Sequence, residues 1–149
     1  MRANKVRAKI RAGEKVYGVI FTFPSPQAVE IVGDLGFNFV FIEGEHGAWT
    51  LRDIEETCIV ANAMGLTVHA RVPNIHPSTI LRFLDRGVQG ITGPHIHNKA
   101  EAEALVAACR FALKGYGAST QADLQNTECL WMFQHIWLEQ MKKYGSQPC

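Results

Sequence analysis

Glu43-Gly44-Glu45-His46-Gly47 places two carboxylates and an imidazole within a few residues of one another, on a segment that its glycines allow to turn sharply. A carboxylate can orient an imidazole ring and raise its basicity, so these residue types in this spacing suit proton transfer. The competing account is a solvated turn whose charges merely avoid the core. Arg71 follows Val68 and Ala70 and precedes Val72 and Pro73, an awkward place for a permanent charge unless it faces an anion. That anion is either a bound carboxylate or an internal partner, Glu43 or Glu45. His95 and His97 could both reach a metal on an extended segment, but an H-x-H pair without a third placed ligand reads more simply as two loop histidines. His69 lies inside an apolar run and reads as a hydrogen-bonded core histidine without a chemical role.

These residues need elements to hold them, and the chain supplies a regular alternation. A basic helix over residues 4–11 closes at Gly13, and an apolar strand is expected over 16–23. Ser25 and Pro26 open a second helix, whose apolar stripe is Ala28, Val29, Ile31, Val32 and Leu35. A strand over 37–43 follows, then a helix capped by Thr50 and running to Ala63, and a strand over 66–72. Pro77 and Ser78 start the next helix, 90–96 reads as a short strand, and 99–109 is rich in good helix formers. Four strand-then-helix units demand a parallel sheet, in either a doubly wound open fold or a (β/α)8 barrel. Glu43, Glu45, His46, Arg71, Pro94 and His95 all fall at or just past strand ends, the ligand-binding side of such folds.

Composition narrows the function further. The 149 residues are 47% hydrophobic and 19% charged, which suits a soluble globular domain rather than a disordered chain. Fifteen Lys and Arg against fourteen Asp and Glu give no bulk pull toward nucleic acid or anionic membrane, so a small molecule is the expected partner. Cys58, Cys109, Cys129 and Cys149 form no C-x-x-C pair and read as reduced thiols of a cytoplasmic protein. Arg2, Lys5 and Arg7 precede the apolar run at 16–23, but Glu14 and Lys15 abut it and Pro24-Ser25-Pro26 follows, which excludes a signal peptide. No run approaches the roughly 20 apolar residues of a membrane span. Dinucleotide, phosphate-loop and nucleophile-elbow motifs are all missing.

Arg11-Ala12-Gly13, Tyr17-Gly18, Phe23-Pro24-Ser25-Pro26, Gly36-Phe37, Glu43-Gly44-Glu45-His46-Gly47, Arg71-Val72-Pro73, Asp85-Arg86-Gly87-Val88-Gln89-Gly90 and Pro94 occur in an order and spacing that resemble the HpcH/HpaI aldolase and citrate lyase family. The resemblance covers about residues 5–116. It implies a (β/α)8 barrel, here cut to about four βα units, and homo-oligomers in the intact family. It also implies reversible aldol cleavage of 4-hydroxy-2-oxo acids to pyruvate and an aldehyde. A divalent metal, Mg2+, Mn2+ or Co2+, chelates the pyruvate in that family. Breaking the carbon-carbon bond builds an enolate whose charge needs a metal and an arginine. Arg71 matches that arginine, and Pro94 matches a further substrate-binding position. His46 matches the histidine that moves the proton of the substrate hydroxyl, with Glu43 in place of its acidic partner, more often Asp. The family's metal ligands, a Glu and an Asp, lie beyond the matched region, so none is assigned here. Asn74-Ile75-His76 replaces the usual Trp-Asn-Asp, and Gly93 stands where a branched apolar residue is common, which leaves the aldehyde partner open.

Residues 1–116 are thus expected to form the first half of a barrel, and 117–149 a divergent tail. Pairing each codon's third base with the first two of the next forces Asp-Val from Trp131. The same frame then permits a stretch like the family's Tyr-Leu-x-x-Ala-Asn-Glu-Glu. A frameshift near Tyr116 explains the tail on that reading; a genuine helix over residues 130–144 is the other. The functional alternative to an aldolase is a non-catalytic half-barrel that self-associates or binds a partner through unpaired strand edges.

Overall fold

The computed structural model describes residues 4–110, and the expected tail over 117–149 lies outside them. Helix α1 (Lys5–Arg11) leads into β1 (Gly18–Phe21), α2 (Pro26–Asp34), β2 (Phe39–Glu43), α3 (Leu51–Ala63), β3 (Thr67–Arg71), α4 (Pro77–Asp85), β4 (Gly90–Thr92) and α5 (Lys99–Cys109). The helix starts are made by the side chains that the sequence offers for them. Asn4, Ser25 and Asn98 each accept a bond from a first-turn backbone N–H, and Thr50 and Asp53 form a reciprocal capping box on α3.

The strands form one parallel sheet whose spatial order is their chain order, β1-β2-β3-β4. Because side chains alternate across a strand, the register divides the sheet into two faces. Phe21, Val40, Ile42, Val68, Ala70 and Ile91 belong to the core, which the helices complete with Val29, Val32, Ile54, Cys58, Ala61, Ile80, Leu84 and Leu105. On the other face, Ile20, Phe41 and His69 lie side by side one layer down, and Glu43, Arg71 and Thr92 form the last row at the strands' C-terminal ends.

Two expectations are corrected. The stripe on α2 splits: Val29 and Val32 are buried, whereas Ile31 and Leu35, an i,i+4 pair, face outward at 59% and 69% exposure. The fourth strand stops at Thr92 rather than running to residue 96. Pro94 has no N–H for a ladder, and His95 adopts φ 45°, a left-handed conformation that ends any extension. The H-x-H pair therefore sits on a bend and not on a strand.

Candidate active site

The last row of the inner face is built on Glu43, whose backbone ends β2 and whose side chain turns back over it. Its Oε1 accepts from the backbone N–H groups of Glu45 (3.0 Å) and His46 (3.2 Å) and from Arg71 Nε (2.9 Å). Its Oε2 lies 2.7 Å from Arg71 Nη2, completing a bidentate pair. Burial pushes this carboxyl up, but the bonds from Arg71, His46 and Glu45 together outweigh that and hold it below its ordinary value. The same bond raises the Arg71 guanidinium. Glu43 is therefore an anion that fixes both the turn and the arginine.

The turn closes only with small residues. Gly44 N–H donates to the Arg71 carbonyl (2.9 Å) and Gly47 N–H to the Glu43 carbonyl (3.1 Å). A Cβ at Gly47 would run into the carbonyl oxygens of Glu43 and Thr22. This geometry brings Glu45 inward, where its side chain is 10% exposed and meets three cations or potential cations. Its Oε2 is 3.1 Å from Arg71 Nη1, an ionic contact without hydrogen-bond alignment. Its Oε1 is 2.8 Å from His95 Nε2, and His46 Nε2 is 3.8 Å from Oε2.

The positions singled out in the sequence are thus only partly brought together. Arg71 pairs internally with Glu43 and Glu45, yet five N–H donors exceed these contacts, so its one-third exposed fork retains donors for a further anion. The His46 ring is 70% exposed, and the carboxylate beside it is that of Glu45 rather than that of Glu43, whose oxygens are spent on Arg71 and the backbone. Pro94 is half-buried in the bend after β4. His95, exposed and stacked over His97 with ring centroids 6.3 Å apart, joins the cluster through Glu45. Sequence reasoning named Glu45 as a possible partner of Arg71 but did not give it its central place. The link to His95 depends on the left-handed bend, which no local pattern announces. Among the described residues no group of three His, Cys, Asp or Glu could hold a metal ion.

The arrangement offers a held guanidinium with spare donors, beside an exposed imidazole and its carboxylate, at the C-terminal ends of parallel strands. That combination can bind a small carboxylate and move a proton next to it. The model of the HpcH/HpaI aldolase/citrate lyase family matches residues 18–135. The chain belongs to this family. The match runs past residue 116, where the motif resemblance ends. A pyruvate aldolase of Rhizobium etli is 32% identical over 122 residues, 80% of this chain and 48% of the relative. A 4-hydroxy-4-methyl-2-oxoglutarate aldolase of Chaetomium globosum is 35% identical over 111 residues, 72% of this chain and 41% of the relative. The crystal structure of an HpcH/HpaI aldolase from Desulfitobacterium hafniense superposes with a TM-score of 0.69 at 22% identity, over 93% of this chain and 52% of that one. The fold is therefore that of the HpcH/HpaI barrels, and the chain spans about half the length of the curated relatives it matches. The family is generally metal-dependent. Among the described residues no helix is long and apolar enough to cross a membrane.

Proposed function

We propose that the Glu43–Arg71–Glu45–His46 cluster is a pyruvate-enolate site serving the cleavage of 4-hydroxy-2-oxo acids to pyruvate and an aldehyde. The observation that carries the reading is the placement of Arg71. A guanidinium gripped from behind by Glu43 keeps N–H donors for a carboxylate or an enolate oxygen, with His46 nearby. In cleavage, His46 removes the proton of the substrate's 4-hydroxyl, the carbon-carbon bond breaks, and the electron pair moves onto the pyruvyl half as an enolate. Arg71 stabilises that charge, Glu45 balances the imidazolium, and Pro94 forms part of the wall past β4. Glu43 acts here by holding Arg71 and the turn. The divalent metal of the family, Mg2+, Mn2+ or Co2+, finds no ligand set among the described residues.

The test is pyruvate release from a 4-hydroxy-2-oxo acid by this 149-residue chain, with each of the three metals supplied. Turnover that falls at least 100-fold in Arg71→Met supports the reading. An absence of turnover with all three metals overturns it for this polypeptide.

A second reading has its own observation. Ile20 is 65% exposed on the inner face, and among the described residues neither β1 nor β4 has a partner on its outer edge. Self-association through that face is the alternative, and light scattering that finds a monomer removes it.

A further inference from the structure

His69 lies on the inner face of β3 without a part in the candidate site, and its surroundings are specific. The ring is buried, lies flat against Phe41 with centroids 5.2 Å apart, and fills the space over Gly90, where a Cβ would collide with Nδ1. Burial lowers its pKa to about 4, so the ring is neutral at ordinary pH. Its Nε2 is 2.8 Å from Thr92 Oγ1. Thr92 is the register partner of Arg71, which is the partner of Glu43. Thr92 thus follows Arg71 in the last row, on the neighbouring strand, and a buried imidazole one layer down holds its hydroxyl.

The tautomer decides what that hydroxyl can do. If Nε2 carries the proton it donates to Oγ1, and the Thr92 O–H is left to donate elsewhere. If Nδ1 carries the proton, the Thr92 O–H is consumed by Nε2 and only lone pairs face the row, which repels an anion. We infer that His69 is the Nε2–H tautomer and that the Thr92 hydroxyl donates a hydrogen bond to the same carboxylate that Arg71 binds. Thr92 is then a ligand-binding residue and His69 its positioning residue. This rests on the reading of Arg71 as a carboxylate site, and it adds a neutral donor that fixes the orientation of a 2-oxo acid across β3 and β4.

The full chain, labelled with 15N-histidine, reports the tautomer directly by NMR. The expected spectrum has a neutral His69 protonated at Nε2, retained in Thr92→Ser and altered in Thr92→Val. Pyruvate titrations, run with divalent cation present, then read the ligand contact. Thr92→Val and His69→Phe, both chosen to keep volume, weaken binding about tenfold, while Thr92→Ser leaves it unchanged. Arg71→Met abolishes binding. A Nδ1–H tautomer overturns the inference. Undiminished affinity in Thr92→Val, with Arg71→Met silent, overturns it while leaving the Arg71 reading intact. A wild-type chain that binds no pyruvate, or binds it as Arg71→Met does, overturns the Arg71 reading and this inference together.

Discussion

The two faces of the same four strands obey opposite rules. Val40, Ile42, Val68 and Ala70 on the outer face are entirely buried, and all are apolar. Their alternating neighbours Phe41, Glu43, His69 and Arg71 on the inner face are aromatic, basic or acidic, and become more polar toward the strands' C-terminal ends. The outer face stabilises the fold by removing apolar surface from water, a term proportional to area and indifferent to detail. The inner face holds charges that are tolerable only because each has a placed partner. One pleat therefore separates the apolar layer that the helices cover from the polar row of the candidate site.

Five substitutions test that division, taken from the largest effect down. Ile42→Asp buries an unpartnered charge in the helix-covered layer and should cost more than about 4 kcal/mol, seen as loss of the cooperative urea transition. His69 sets the acid response of the inner face. Its folded pKa of about 4 lies below the ordinary 6.5, so as pH falls through that window only the unfolded chain gains the proton. Stability should fall by roughly 3 kcal/mol across it, and His69→Phe should flatten this part of the pH–stability curve. Arg71→Met leaves Glu43 without its cation. Discounted for the partial exposure of the arginine, the loss should be about 2 kcal/mol at neutral pH. It should shrink as pH falls, because without Arg71 only the backbone N–H bonds from Glu45 and His46 oppose the upward push of burial, and the Glu43 carboxyl takes a proton more readily than in the unaltered chain. Glu43→Gln on that background should recover stability but not pyruvate binding. Gly90→Ala pushes a methyl group against the His69 ring and should cost about 1–2 kcal/mol, measured by thermal melting.

The parts of the molecule written in local residue types were legible without coordinates. The helix over 50–63 was announced by Thr50 and ends at Ala63 as read, because a cap is a contact between near neighbours in sequence. The strand that precedes Glu43 and the one that carries Arg71 were recoverable from their apolar runs, and with them the side of the sheet on which the site lies. Strand ends were not, since pairing sets them: β1 begins at Gly18 because its partner β2 begins at Phe39. The Arg71–Glu43 pair was visible as one of two options, whereas its bidentate geometry joins residues 28 apart and had to be seen. Least legible was the Glu45–His95 contact, which exists because a non-glycine residue takes a left-handed turn.

The identity of spatial and chain order in the sheet carries a consequence for biosynthesis. Among the described residues each strand pairs with the one made immediately before it, so these three ladders form in the order of synthesis. β1 and β2 can pair and be covered by α2 while β4 is still being translated. The row of Glu43, Arg71 and Thr92 is then assembled one member at a time from the N-terminal side, each arriving on an edge already in place.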